Sequence, residues 1–128
     1  MSKNKLQPRV GIVTGAGRGI GLAIAKELST QGVSIVAADN GCDIDGSQEN
    51  HIIVEEAVKQ LSGPSRIYTR SVASPKAAEE LVAMAIGEFG GIDIIINCAA
   101  ILRDGLVFKN MSEDWEVVIK NNLSSAFY

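Results

Sequence analysis

Four glycines stand within seven residues near the start of the chain, in Thr14-Gly15-Ala16-Gly17-Arg18-Gly19-Ile20-Gly21. So dense a run weakens local structure unless bare backbone is needed there. Anion binding is the need it suggests. Where a strand turns into a helix, glycines let the main chain come close to a diphosphate. The first amides of the helix then face it, unpaired and at the positive end of the dipole. The spacing is Gly-x-x-x-Gly-x-Gly, from Gly15, Gly19 and Gly21, with Arg18 and Ile20 between them. It is neither G-x-G-x-x-G nor a Walker loop, because no Gly-Lys-Ser/Thr follows. The bland alternative is a tight turn that holds nothing.

Asp39 lies eighteen residues after Gly21. A carboxylate at the end of the second strand of such a unit takes the ribose hydroxyls of a dinucleotide and repels an added 2′-phosphate. NAD is therefore expected over NADP. Arg18 is the counter-signal, because a guanidinium pairs well with phosphate. The plainer reading of Asp39 is a turn residue. A methyltransferase-like domain binding S-adenosylmethionine is a rival from another class. Its glycine loop usually follows an acidic residue, and Val13-Thr14 stands there instead.

Alternating elements must position these groups. Val10 to Val13 is a strand candidate, and Ile20, Ala23, Ile24 and Leu28 then recur at helical spacing up to Gly32. Val33 to Ala38 is the second strand, followed by a polar loop from Asn40 to Glu49. Val54, Ala57, Val58 and Leu61 mark a second helix, ended by Gly63-Pro64; Arg66 to Thr69 is a third strand. Ser74-Pro75 reads as N-cap and first helical position of a third helix, with Ala78, Leu81, Val82, Ala85 and Phe89 on its apolar face and Gly90-Gly91 after it. Ile92 to Asn97 is the fourth strand. Ser112 should cap a last helix whose Glu113 and Asp114 suit its positive end. Nearly all-apolar strands alternating with helices predict a doubly wound parallel α/β sheet, a Rossmann fold ordered 3-2-1-4. Residues 1–128 read as one dinucleotide-binding domain, incomplete and cut within its last helix. That helix shows no stop signal, and the fourth strand would be left unpaired at an edge.

Three motifs in order resemble the short-chain dehydrogenase/reductase family over Val10 to Phe127. Thr14 to Gly21 is similar to its TGxxxGxG, Asn97-Cys98-Ala99-Ala100 to its NNAG, and Trp115 to Phe127, with Asn122-Leu123, to its active-site asparagine segment. The resemblance implies a hydride transfer between nicotinamide and an alcohol or carbonyl substrate. It implies cofactor contacts at Asn97, Ala99 and Ala100, and at Ser71 and Val72 beside the adenine. Cys98 and Ala100 depart from the usual Asn and Gly, and Ser71 replaces an Asp often found there. Asn122 carries the implied catalytic role, holding a water in a proton relay. Trp115, Val118, Ile119, Asn122 and Ala126 fall on one helical stripe that should face the core, with Asn121 pointing away. On pattern alone, Asn122 reads equally as a core amide bonded to backbone.

The family's Tyr-x-x-x-Lys pair is absent. Tyr68 is followed four residues on by Val72, and Tyr128 is the last residue. The chain alone is therefore expected to be inactive, and a non-catalytic NAD sensor is a second reading. Ile101-Leu102-Arg103-Asp104 and the long loop after Asp39 are similar to 3-oxoacyl reductases and to the (3R)-hydroxyacyl-CoA dehydrogenase of multifunctional β-oxidation enzymes. That likeness points to a 3-hydroxyacyl or 3-oxoacyl thioester. For Arg103 and Asp104 the alternative is a solvated loop.

The totals exclude other classes. With 128 residues, 46% apolar and 21% charged, the chain is an ordinary globular domain. A net charge of −3 argues against a nucleic-acid or anionic-membrane partner. Met1 to Arg9 has no apolar stretch of a secretory signal. Cys42 and Cys98 form no CxxC pair, and His51 is the only histidine, so no metal site or Ser-His-Asp triad is expected. A cytoplasmic enzyme of small-molecule substrates is expected, homo-oligomeric at full length.

Overall fold

The computed structural model describes residues 8–106, 109 and 111–128. The basic start read as lacking a secretory signal therefore lies, through Gln7, outside the described residues. The elements are β1 (Val10–Thr14), α1 (Gly19–Thr30), β2 (Ser34–Ala38), α2 (Ile52–Val58), β3 (Ser65–Tyr68), α3 (Pro75–Phe89), β4 (Ile94–Asn97) and α4 (Ser112–Ile119). A π-helical turn, Lys120–Ser124, follows α4 directly and leads into α5, Ser125–Phe127. All strand pairs are parallel, in the order β3-β2-β1-β4. This is the doubly wound sheet expected from the alternation of elements.

The period-2 alternation of strand side chains builds two cores. Val10 and Ile12 of β1, Val36 and Ala38 of β2 and Tyr68 of β3 face Ala77, Leu81 and Ala85 of α3. Val13, Ile35 and Ala37 point the other way, toward Ala25 of α1 and Val54 of α2. Val13, Ile35, Val36 and Val54 are fully enclosed, each stabilising the fold by about 1.5–3 kcal/mol relative to exposure. The edge strand β4 is less covered, and Ile95 on its outer face is 57% exposed.

The helix caps at Ser74, Gly32 and Gly90 take the expected forms. Ser74 accepts a bond from the Ala77 amide at 3.1 Å, with Pro75 in the first turn. Gly32 and Gly90 take positive φ after α1 and α3.

Other expectations are corrected. The fully buried residues of α1 are Gly21, Ala25 and Ser29; of the predicted stripe, Leu28 packs half-buried against the core and Ile24 is half-buried, while Ala23 is exposed and Ile20 is 74% exposed. Glycine packing decides this at the first turn: α1 lies so close to the β1 turn there that a Cβ at position 21 would stand 2.1 Å from the Gly15 carbonyl oxygen. On α3, Ala77 replaces Ala78 on the buried face and Val82 is exposed. Met111, extended, is the N-cap of α4; Ser112 is the first helical residue and caps nothing through its side chain. No residue of α4 is buried, so the predicted core stripe through Trp115 and Asn122 does not form within the chain. The π-helical turn interrupts the 3.6-residue period on which that stripe was drawn.

Candidate functional site

The site begins where β1 meets α1. Gly15 turns with φ +66°, and a Cβ there would stand 2.8 Å from the Ala99 nitrogen, so this turn lies flat against the loop after β4. Thr14 fastens the two together. Its hydroxyl accepts from the amides of Cys98 at 3.2 Å and Ala99 at 3.1 Å. A Cβ on Gly21 would stand 2.1 Å from the Gly15 carbonyl oxygen. The first turn of α1 is thus seated on the loop itself. Its N-cap, Arg18, is extended and makes no side-chain cap, leaving the helix N-terminus open. Nothing lies within 4 Å of the Cβ position on Gly19. An uncapped N-terminus over bare backbone fits the diphosphate of a dinucleotide.

Asp39 follows β2. Its carboxylate accepts from the Gly17 amide at 2.8 Å and the Gly41 amide at 2.7 Å, joining the glycine loop to the next loop. Arg18 extends over the same loop and donates to the Cys42 carbonyl. Burial raises the Cys42 thiol pKa, and the negative charge of Asp39 adds to that rise.

A cavity of about 420 Å³ opens at the carboxyl ends of the strands, lined by Gly15, Arg18, Asp39, Ser71, Val72, Ala99 and Ala100. These are the predicted cofactor contacts that the fold brings together. Gly19, Ile20, Gly21, Asn97 and Asn122 are not among its lining residues. Gly21 acts through packing instead. The lining also includes Cys98, which the motif after the fourth strand placed beside the cofactor, and residues that the sequence reading did not single out as contacts: Cys42, Asp43 and Ile44 from the loop after β2, Arg70 two residues past β3, and Ile101 after β4. Loop length hid Cys42, Asp43 and Ile44, since periodicity says nothing about where the ten-residue polar stretch Asn40 to Glu49 folds. Thr14 was visible as the residue before Gly15, but its clamp on the loop after β4 depends on parallel pairing of strands that two others separate in sequence.

Asn121 and Asn122 exchange the expected places. Asn121 lines the cavity, and its side-chain amide donates to the Val117 carbonyl at 2.9 Å. Asn122 accepts from the Ile101 amide and donates to the Ile101 carbonyl, both at 2.8 Å. The second amide therefore anchors the loop that follows β4. Outside the cavity lining, Tyr68 donates to Glu80 at 2.7 Å, and Arg70, which does line it, pairs with the same carboxylate at 3.2 Å. Burial, with help from Glu80, pushes the Tyr68 hydroxyl up to about 12. It stays protonated near neutrality. Among the described residues no group of three His, Cys, Asp or Glu is placed to hold a metal, and no helix is long and apolar enough to cross a membrane.

Comparison with known proteins gives the geometry a context. The family model described as short chain dehydrogenase matches residues 9–128. A 3-oxoacyl-[acyl-carrier-protein] reductase of Vibrio cholerae is 31% identical over 122 residues, covering 95% of this chain and 46% of that protein. The peroxisomal multifunctional enzyme type 2 of Mus musculus is 32% identical over 119 residues, 93% of this chain and 16% of that enzyme. Among solved structures, actinorhodin polyketide ketoreductase with NADPH superposes with a TM-score of 0.74 at 27% identity, over 94% of this chain and 44% of that one. The chain spans less than half the length of each of these relatives.

Proposed function

This chain belongs to the short-chain dehydrogenase family, and from that premise we propose that its strand-end cavity binds NAD, in a protein that transfers hydride between nicotinamide and an alcohol or carbonyl substrate. One observation carries the reading: the Gly15 turn and Arg18, the residue before α1, line a single cavity together with the Asp39 carboxylate and the Ala99-Ala100 loop. The diphosphate would rest at the α1 amides, the adenine side near Ser71 and Val72, and the nicotinamide side near Ala99 and Ala100. When bound, the cofactor supplies or accepts the hydride. The chain's own residues bind and orient it. Asp39 takes the ribose hydroxyls while keeping its bonds to Gly17 and Gly41, since each carboxylate oxygen has a second lone pair.

Preference for NAD over NADP rests on that carboxylate, against the presence of NADPH in the ketoreductase structure. Arg18, the group that would welcome a 2′-phosphate, is turned onto the Cys42 carbonyl. Titration calorimetry on the intact protein tests this. NAD should bind more tightly than NADP, and the reverse order would refute the assignment.

We extend the reading to a 3-hydroxyacyl or 3-oxoacyl thioester substrate. The likeness to the acyl-carrier-protein reductase and to the multifunctional enzyme supports it, as does Ile101-Leu102-Arg103-Asp104. Asn122 would act in catalysis by way of the Ile101 loop. Without a Tyr-x-x-x-Lys pair, residues 1–128 alone should show no turnover, and binding without turnover is also what a sensor would give. We place the protein in the cytoplasm as a homo-oligomer. The free Cys42 and Cys98 and the exposed Trp115, Leu123 and Phe127 support that setting.

A further inference from the structure

The loop between β2 and α2 does more than connect them. Its ends meet at a neck, where the Asn50 amide bonds the carbonyls of Asn40 and Gly41, each at 3.1 Å. The residues between make a closed excursion of the Ω type. Gln48 within it holds φ +51°, a left-handed conformation that a side chain disfavours. The tip reaches the loop after β4. The Leu102 amide bonds the Ile44 carbonyl at 2.6 Å, and Arg103 Nε donates to the Asp45 carbonyl at 2.9 Å. Arg103 Nη1 is at the same time paired with Asp114 of α4 at 3.0 Å.

Strands β2 and β4 flank β1 in the sheet. A loop that leaves β2 and touches the segment after β4 therefore crosses over the end of β1 and its glycine turn. Cys42, Asp43 and Ile44 line the cavity from this side, while Ser71 and Ala100 lie toward its two ends. Chain thus closes a ring around the middle of the crevice. An extended ligand reaching from Ser71 to Ala100 would lie under that ring, and release of the tip would open its path.

We propose that Arg103 is a positioning residue for the cofactor: by bridging Asp45 and Asp114 it pins the 40–50 loop as a strap across the dinucleotide crevice and so governs how fast the cofactor exchanges. The inference rests on the dinucleotide reading above. Its guanidinium is suited to the task because its planar fork can satisfy a carbonyl and a carboxylate together. A lysine's donors all radiate from one nitrogen and lack that spread between the two partners.

The test is stopped-flow NADH binding to the intact protein, with amide exchange measured on the strap. Arg103→Ala should raise the dissociation and association rates together, each at least fivefold, with Kd changing less than threefold. The amides of Leu102 and of residues 42–47 should lose protection in the same variant. A merely structural role would weaken Kd without speeding association. Arg103→Lys should fall between parent and Ala. Asp114→Ala, on a partly exposed helix, removes the anchor without touching the strap and should shift both rates in the same direction, even if Arg103→Ala does not fold. Rates within twofold of the parent in both Arg103→Lys and Asp114→Ala would overturn the proposal while leaving the cofactor assignment intact. A parent protein that binds no NADH, yet whose strap still loses protection in the variants, would instead sink the dinucleotide reading and the exchange role together.

Discussion

Replacing Gly21 by alanine tests the seat of α1 on the glycine turn. The added methyl would stand 2.1 Å from the Gly15 carbonyl oxygen and 2.7 Å from its carbon. Both are backbone atoms, so no rotamer change relieves the overlap. Restoring that contact from 2.1 Å to the 3.4 Å at which ordinary packing begins requires a displacement of about 1.3 Å between helix and turn. Overpacking of this kind costs about 1–3 kcal/mol. Binding should suffer as well, because the α1 amides move by a distance that breaks a hydrogen bond of ~2.9 Å. Losing one bond to a charged phosphate, about 1.5–3 kcal/mol, weakens Kd by roughly tenfold or more. Gly87→Ala is the control. It lies inside α3 with nothing within 4 Å of its Cβ position and no positive φ, so it should stabilise by about 0.5–1 kcal/mol. Urea unfolding and NAD calorimetry on both variants read the contrast. If Gly21→Ala unfolds within about 0.5 kcal/mol of the parent, the surface-substitution range, and binds NAD as the parent does, the close seat is not what positions the amides.

Three further outcomes are expected. Asn122→Ala removes both partners of the buried Ile101 backbone, and denaturation should show a loss of about 1–3 kcal/mol; a change near zero would mean that water replaces the amide. Tyr68 has its folded pKa raised from 10.0 to about 12, so its neutral form contributes stability that is complete below pH 10 and lost as pH rises toward 12. Urea midpoints across that window should fall less steeply in Tyr68→Phe, and equal slopes would contradict the burial assigned to the hydroxyl. Cys42, its pKa raised above 9.0 by burial and then by Asp39, should alkylate at pH 8 more slowly in the folded protein than in urea; equal rates would show the thiol to be unshielded.

Much of this architecture is legible in the residues because its signals are local. β-branched runs, Ser74-Pro75 and the glycines after α1 and α3 each act within a few positions. What escaped is what depends on approach between distant segments. The buried face of α1 follows from the tightness of its contact with Gly15, so small residues beat the larger Ile20 for the inner positions. Arg103 reads in isolation as a solvated loop residue, and only the path of the 40–50 loop gives it two partners. The likeness to a family marked Asn122 as important, but the side-chain periodicity behind its expected burial assumed an unbroken α-helix.

The wide turn at Lys120–Ser124 behaves like a residue inserted into an otherwise regular spiral. Each position of an α-helix advances by about 100°. Deleting one residue within that span would let the helix rewind evenly: side chains beyond Ser124 would keep their bearing relative to α4, while those inside the span would turn. A deletion before Asn122 would carry its amide off the Ile101 backbone without altering one atom of the amide itself. Length here is as much a determinant as composition: the segment should tolerate exchange of Lys120 or Ser124 far better than the loss of either.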